Sequence, residues 1–161
     1  MTNSKIIKFI QAICKTGLDN GNMYGFFRKI GNKVYATDTK RAIIAEDLKI
    51  AGVTVDGFYV WQRDLPVKID EPAKFPDIER LFIGERPKEI FSFDIPQIKS
   101  KDKTPLSFPS LRLGHIAGEI SVDCNLIFGF TRADKISFST PSLPALFESE
   151  GVKLLVMPTT A

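Results

Sequence analysis

Histidine is almost missing from this sequence, and its scarcity excludes several kinds of catalytic and metal site. The chain has 161 residues and a single histidine, His115. This residue lies in a strand-like pattern with no cysteine close to it in sequence, so neither a zinc site nor a Ser/His/Asp triad can be assembled around it. We therefore predict a structural or surface role for His115.

Glycine-rich phosphate loops are also missing. The early glycines are spread through predicted turns and strands, and none of them begins a Gly-Lys-Ser/Thr sequence, so the chain lacks a P-loop or dinucleotide-binding signature. Three carboxylates, Asp38, Asp94 and Asp123, lie near predicted strand ends and could be gathered by folding, but the sequence does not show that they are. These absences predict a protein that is not an enzyme and that binds no cofactor and no metal.

Cysteines are few, and long apolar runs are absent. Cys14 and Cys124 lie far apart in sequence, a pattern typical of buried thiols in a cytosolic protein rather than of a disulfide. The apolar run within residues 1–15 is short and interrupted by lysines, so it predicts neither an export signal nor a membrane span. We expect a cytoplasmic protein with no membrane partner.

The composition is that of an ordinary globular chain. Hydrophobic residues make up 43% of the sequence and charged residues 25%, which predicts one domain over residues 1–161. A chain of this length should remove roughly 70% of its unfolded surface from water, so its core needs no disulfide or structural metal. The net charge of +3 permits nucleic acid as a partner without requiring it.

The first predicted element is an amphipathic helix that begins at Ser4 and ends near Lys15, before Thr16-Gly17. At ~100° per residue, one face collects its large apolar side chains: Ile6, Phe9, Ile10 and Ile13. The opposite face carries the polar side chains Lys5, Lys8, Gln11 and Lys15. The lysine amines of this face either make only a solvent-exposed surface or attract the phosphates of duplex DNA.

Two short strands are predicted to meet at a polar corner within the stretch 34–46. Val34 to Ala36 precede the corner and Arg41 to Ile44 follow it, and these residue types suit a pleated, half-buried surface. Asp38 and Thr39 can form hydrogen bonds with the local backbone and so turn the chain.

The remaining pattern predicts a helix followed by strands, twice. In the first half, residues 1–62, strands at 23–30 and 52–61 flank this corner, with Gly31-Asn32 as a hairpin turn. A connector rich in proline and charge, 63–74, leads to the second half, 75–161. The second half should contain a helix at 75–82, an exposed loop at 100–109, and strands at 89–95, 111–120, 121–130, 135–140, 145–148 and 152–157. This order predicts an α+β fold: two helix-plus-antiparallel-strand halves with curved sheets and both helices on one side.

Three motifs resemble those of bacterial β sliding clamps, the rings that hold a replicative polymerase on DNA. Residues 37–42, Thr-Asp-Thr-Lys-Arg-Ala, are similar to the family's T-D-x-x-R-(Leu/Ala) corner. Residues 75–81, Phe-Pro-Asp-Ile-Glu-Arg-Leu, resemble its F-P-D-x-x-R-(Val/Leu) segment. The turn at 141–146 and the last strand, which closes with Val-Met-Pro at 156–158, resemble the end of a clamp chain. The resemblance implies a single clamp-like domain.

In that family the three pieces border a pocket for the short peptide tails of polymerase and other partners. The resemblance therefore implies partner-peptide contacts from all three motifs: Thr37, Lys40, Arg41, Ala42, Pro76, Arg80, Leu81, Val156, Met157 and Pro158. The chain departs from the family at Thr39, where a glycine is usual, and at Lys40, where a histidine is usual. A β clamp chain carries three such domains, so a closed ring of six domains would need six copies of this chain.

Three functions fit these features. The first is a processivity or scaffold protein that forms a homo-oligomer around duplex DNA, with basic helices inward and replication proteins bound through peptides. The second is a monomeric clamp-like adaptor or regulator, for instance of phage origin, that does not encircle DNA. The third is a small single-stranded-DNA-binding protein, which needs exposed rings for base stacking. The aromatic residues alternate mostly with apolar neighbours, which favours core packing: Phe26, Phe27, Tyr35, Phe58, Tyr59 and Trp61.

Overall fold

The computed structural model describes residues 1–19, 24–99, 110–115 and 118–159. Within these ranges lie the helices α1 (Asn3–Asp19), α2 (Ile78–Leu81) and α3 (Cys124–Ile127). The strands are, in chain order, β1 (Phe26–Ile30), β2 (Lys33–Thr37), β3 (Arg41–Glu46), β4 (Gly57–Gln62), β5 (Leu65–Ile69), β6 (Lys88–Asp94), β7 (Ser110–His115), β8 (Gly118–Asp123), β9 (Arg132–Phe138), β10 (Ala145–Ser149) and β11 (Val152–Val156). The predicted loop at 100–109 lies outside the described residues.

Nine of the strands form one curved antiparallel sheet, and β7 and β8 form a separate hairpin. The order in the sheet is β5-β4-β1-β2-β3-β11-β10-β9-β6. The first half of the chain builds one end of the sheet, the second half builds the other, and they meet where β3 pairs with β11. The predicted α+β fold with two helix-plus-antiparallel-strand halves is confirmed.

Helix α1 covers one face of the sheet, as its pattern predicts. The main core takes up its apolar side chains Ile6, Phe9, Ile10 and Ile13. The helix continues to Asp19 instead of ending near Lys15. Gly17 therefore serves a close approach and not a helix end, because a Cβ at this position would lie 2.5 Å from the carbonyl oxygen of Tyr24.

The other face of the sheet is covered by the segment 75–82. Phe75 packs on Phe26 and Phe58, with ring centroids 5.4 Å apart in both pairs. Ile78 of α2 is buried in a second apolar cluster with Tyr35 and Ile44. Helix α2 is a single turn, shorter than the helix predicted at 75–82.

The prediction that both predicted helices lie on one side of the sheet was wrong, because α1 and α2 lie on opposite faces. The central strands explain this arrangement. Successive residues of β3, such as Ile43 and Ile44, are both buried, although neighbouring side chains of a strand point to opposite faces. A sheet that is apolar on both faces needs a cover on each.

The predicted connector contains an edge strand. Residues Leu65–Ile69 form β5 and pair with β4, which begins at Gly57 and not at residue 52. Arg63 and Asp64 make the two-residue turn with φ values of 48° and 66°, the conformation that type I′ hairpins require. The Asn-Gly signal usual for such a turn is missing, so the hairpin was not predicted. Pro66 is tolerated because β5 lies at the edge of the sheet.

The predicted strand at 121–130 is a strand end followed by a short helix. Asp123 ends β8, and its Oδ1 accepts a hydrogen bond from the backbone N–H of Asn125 at 2.8 Å, an N-cap that starts α3. Ile127 of α3 is buried in the same core as α1. The predicted strand at 111–120 is likewise divided, since its residues belong to the antiparallel pair β7 and β8.

Candidate functional site

The polar corner between β2 and β3 is held by hydrogen bonds within the corner itself. Asp38 is fully buried, and its Oδ1 accepts from the backbone N–H groups of Lys40 at 3.1 Å and Arg41 at 3.0 Å. Thr37 Oγ1 donates to the carbonyl oxygen of Arg41 at 2.8 Å. Thr39 has a φ of 76°, a left-handed conformation that suits glycine better than a β-branched residue. The predicted turn is confirmed, and Asp38 makes the expected bonds to the backbone. The second bonding side chain is Thr37 and not the predicted Thr39.

Arg41 links this corner to the helices on the main-core face. Its side chain is 4% exposed, and Nε donates to Asp38 Oδ2 at 2.8 Å. Nη1 donates to the carbonyl oxygen of Leu126 in α3 at 2.8 Å, and the guanidinium lies 5.1 Å from the ring centroid of Phe9 in α1. The resemblance implied a peptide contact from Arg41, but its guanidinium is buried and is already used by these contacts.

A pocket of ≈ 150 Å³ opens beside the corner. Its lining residues come from both halves of the chain: Thr37, Thr39, Lys40, Arg41, Ala42, Leu81, Pro144, Leu155 and Met157. Ala42 and Leu155 are cross-strand partners in β3 and β11. The backbone N–H of Met157 donates to the carbonyl oxygen of Lys40 at 2.8 Å, which holds the end of the last strand against the corner. The pocket therefore has an apolar floor and one polar end.

Six of the residues implied as peptide contacts line this pocket: Thr37, Lys40, Arg41, Ala42, Leu81 and Met157. Val156 does not, because it faces the main core and is fully buried. Its neighbour Leu155 faces the pocket instead, as the alternation of side chains along a strand requires. Leu155, Pro144 and Thr39 were missed. The register of β11 against β3 would have identified Leu155, but it cannot be read from one sequence.

Three further predicted residues lie outside the pocket lining. Pro76 lines a separate cavity of ≈ 260 Å³ with Arg28, Tyr35 and Glu79. Arg80 is exposed on α2, and Pro158 is half-buried beyond the end of β11.

Helix α2, which supplies Leu81 to the pocket, is fixed to the sheet by a polar contact. Glu79 accepts hydrogen bonds from the Tyr35 hydroxyl at 2.7 Å and from Lys33 Nζ at 2.9 Å. These two bonds, the tyrosine's first, hold the pKa of Glu79 below its ordinary value. Burial and the bond to Glu79 raise the pKa of Tyr35 to about 12. The contact is therefore in its bonded form, ionised Glu79 with protonated Tyr35, at neutral pH.

Solved structures share this architecture, although no protein-family model and no curated protein matches the sequence. The Helicobacter pylori β clamp bound to a DNA ligase peptide matches with a TM-score of 0.62 and 16% identity, over 98% of this chain and 63% of that one. The DNA polymerase III subunit beta from Pseudomonas aeruginosa matches with a TM-score of 0.58 and 14% identity, over 99% and 65%. The chain has the β sliding-clamp fold. It spans less than two thirds of the length of these clamp chains.

Within the clamp fold, α1 presents its predicted DNA-binding side chains outward. Lys5, Lys8 and Lys15 are exposed and Gln11 is half-buried. Helices α2 and α3 have four residues each, so α1 is the one long helix in the part of the chain that the structure describes.

The six aromatic side chains considered above for base stacking lie mostly in the interior of the clamp fold. Five of the six considered above are buried: Phe26, Phe27, Tyr35, Phe58 and Tyr59. Trp61 is half-buried and packs on Phe27 with ring centroids 5.0 Å apart. This burial argues against base stacking on these six rings.

The described residues also bear on metals, membranes and thiols. Among them, no group of three or more His, Cys, Asp and Glu side chains is placed to hold a metal ion. None of the helices found in these ranges is long and apolar enough to cross a membrane. Cys14 and Cys124 are free and buried, as predicted, and burial raises the pKa of Cys14 to about 12.

Proposed function

We propose that the protein is a non-enzymatic, clamp-like scaffold that binds partner peptides in the pocket beside Lys40 and Met157. One observation carries this proposal: the pocket is assembled from three motifs that lie far apart in the chain, at 37–42, 81 and 155–157. An apolar floor with one polar end suits an extended peptide that inserts a large apolar side chain. The proposed partners are DNA polymerase or other replication proteins in the cytoplasm, and no cofactor takes part.

Duplex DNA is the second proposed partner, and the exposed face of α1 supports it. Lys5, Lys8 and Lys15 can attract phosphates, and Gln11 can donate to them from the same side. Such contacts carry no sequence information, which suits a protein that moves along DNA. In the full form of this proposal, copies of the chain assemble into a ring with α1 turned inward.

A monomeric adaptor or regulator is the alternative, and the shortness of α2 and α3 favours it. With four residues each, these helices add no second basic face beside α1 in the described residues. Such a protein would keep the peptide pocket without encircling DNA.

The peptide proposal predicts that Met157→Asp weakens binding. A carboxylate at this position must lose water when a peptide covers the apolar floor. An unpaired neutral polar group costs about 1–3 kcal/mol and a charged group more, so Kd should rise by at least roughly fivefold. Fluorescence anisotropy with labelled synthetic peptides measures the effect. The probe set includes the DNA ligase peptide found in the Helicobacter pylori clamp structure.

Two variants control this experiment. Met157→Leu keeps an apolar side chain and should bind like the wild type. Leu65→Asp places the same carboxylate at an exposed apolar position of β5, away from the pocket, and should also leave binding unchanged. If no peptide of the set shows saturable binding, or if Met157→Asp binds like the wild type, the pocket is not the peptide site.

A further inference from the structure

Most polar groups at the polar end of the pocket already form hydrogen bonds within the protein. The Asp38 carboxylate accepts from two backbone N–H groups and from the Arg41 guanidinium. That guanidinium also donates to Leu126. The Thr37 hydroxyl donates to the Arg41 carbonyl oxygen. A bound peptide cannot compete for these groups without breaking the corner.

Lys40 is the cation of the pocket lining whose charge is available to a ligand. Its side chain is exposed, and its ammonium has no ion-pair partner among the described residues. Its backbone position is fixed from both sides, since its N–H donates to Asp38 and its carbonyl oxygen accepts from Met157. The described lining of the pocket contains no Asp or Glu. The pocket therefore offers an incoming segment one free positive charge beside an apolar floor.

We propose that Lys40 makes the pocket selective for peptides that carry an Asp or Glu side chain next to the apolar anchor. This inference rests on the proposed peptide-binding function and specifies the partner's chemistry. A carboxylate complements the lone ammonium at the rim, while a lysine or arginine at the same place in the peptide is repelled. The apolar floor binds the anchor, and Lys40 discriminates between acidic and neutral residues next to the anchor in the peptide.

The test compares matched peptides that differ in one side chain. The probes are labelled Gly-Ser-Asp-Leu-Phe-Ser-Gly and Gly-Ser-Leu-Phe-Asp-Ser-Gly, with the acid on either side of the apolar pair, together with their Asn counterparts. Both termini are blocked, so a terminal carboxylate makes no contribution; a further pair with free C-termini measures that contribution separately. For the wild type, the better Asp peptide should bind about 1.5- to fivefold more tightly than its Asn counterpart, as expected for a partly exposed ion pair. Added salt should shrink this ratio towards one.

Variants at Lys40 show whether this residue sets the ratio. Lys40→Gln should remove the preference for Asp, so that the Asp and Asn peptides bind with equal affinity. Lys40→Glu should reverse the charge preference: it should bind a peptide with Lys in place of Asp more tightly than the Asp peptide. Lys49→Gln is the matched control, because Lys49 is exposed beyond the opposite end of β3, and it should keep the wild-type ratio.

The outcomes separate this inference from the proposed function. Equal binding of the Asp and Asn peptides, with loss of both in Met157→Asp, would overturn selectivity by Lys40 and leave the peptide pocket standing. A preference for Asp that survives in Lys40→Gln would overturn the assignment to Lys40. A preference seen only with free C-termini would overturn the side-chain proposal in favour of a terminal carboxylate. No binding of any peptide would overturn both the inference and the proposed function.

Discussion

At the scale of single residues, Thr39 shows a conflict between sequence and backbone. Its φ of 76° lies in the left-handed region, where a β-branched side chain is crowded. Glycine is usual at this position in the clamps that the corner resembles. Asp38 and Thr37 hold the strained turn through their hydrogen bonds to the neighbouring backbone.

We expect Thr39→Gly to raise the free energy of unfolding by about 0.5–1 kcal/mol. Relief of the left-handed conformation should exceed the extra entropy that glycine gives to the unfolded chain. Urea denaturation followed by circular dichroism measures the change. Thr39→Ala is the control, since it removes the side chain without making positive φ favourable, and it should give no gain. A Thr39→Gly variant less stable than Thr39→Ala would show that the turn is not strained.

Arg41 shows what residue-level reasoning could and could not predict. The sequence predicted a turn at Asp38 because short polar side chains bond to nearby backbone. It did not predict that Arg41 would cross the main core to Leu126 and Phe9, because these partners come together only in the folded chain. A buried ion pair is costly to break from one side, since the remaining charge is left without a partner.

At the scale of elements, strong periodicity predicted α1 and the strands on either side of the corner. Weaker sequence patterns gave the wrong secondary structure where a local hydrogen bond or turn determined the conformation. Asp123 caps α3 within an apolar run that otherwise favours a strand, and Arg63-Asp64 forms a hairpin turn without glycine. The two-sided cover of the sheet was also not predictable, because a buried strand has apolar residues on both faces and its sequence does not say what covers each.

Helix α1 yields a prediction about DNA. Lys5→Glu, Lys8→Glu and Lys15→Glu together should abolish binding to a duplex of arbitrary sequence without unfolding the protein, since these side chains are exposed. If each lysine meets one phosphate, replacing all three by Gln should lower the slope of log K against log salt by about 3. Electrophoretic mobility shifts and a salt titration measure both effects.

The control for α1 changes the same net charge elsewhere. Lys49→Glu, Lys68→Glu and Lys74→Glu alter three exposed lysines outside the helix and should weaken binding far less. Equal losses in the two triple variants would mean that α1 is not the DNA-binding face and that net charge alone matters.

At the scale of the whole molecule, the candidate pocket lies where the two halves of the chain meet. Arg41 and Ala42 of β3 pair with Val156 and Leu155 of β11, so a bound peptide would touch both halves. The edge strands β5 and β6 lie at the far ends of the sheet. An edge strand can pair with another chain, so copies of this chain could associate end to end while the pocket stays open.

For the ring form of the proposed function, we expect a particle of six copies of the 18.0 kDa chain, measured by light scattering after size exclusion across a wide range of protein concentrations. Leu65→Lys with Val67→Lys should lower this mass, because charges on the exposed side of β5 disfavour edge pairing; these side chains are 66% and 37% exposed. Leu143→Lys, at a position 50% exposed outside the sheet, should leave the mass unchanged. A mass of 18.0 kDa at every concentration, with peptide binding retained, would exclude the ring and favour the monomeric adaptor.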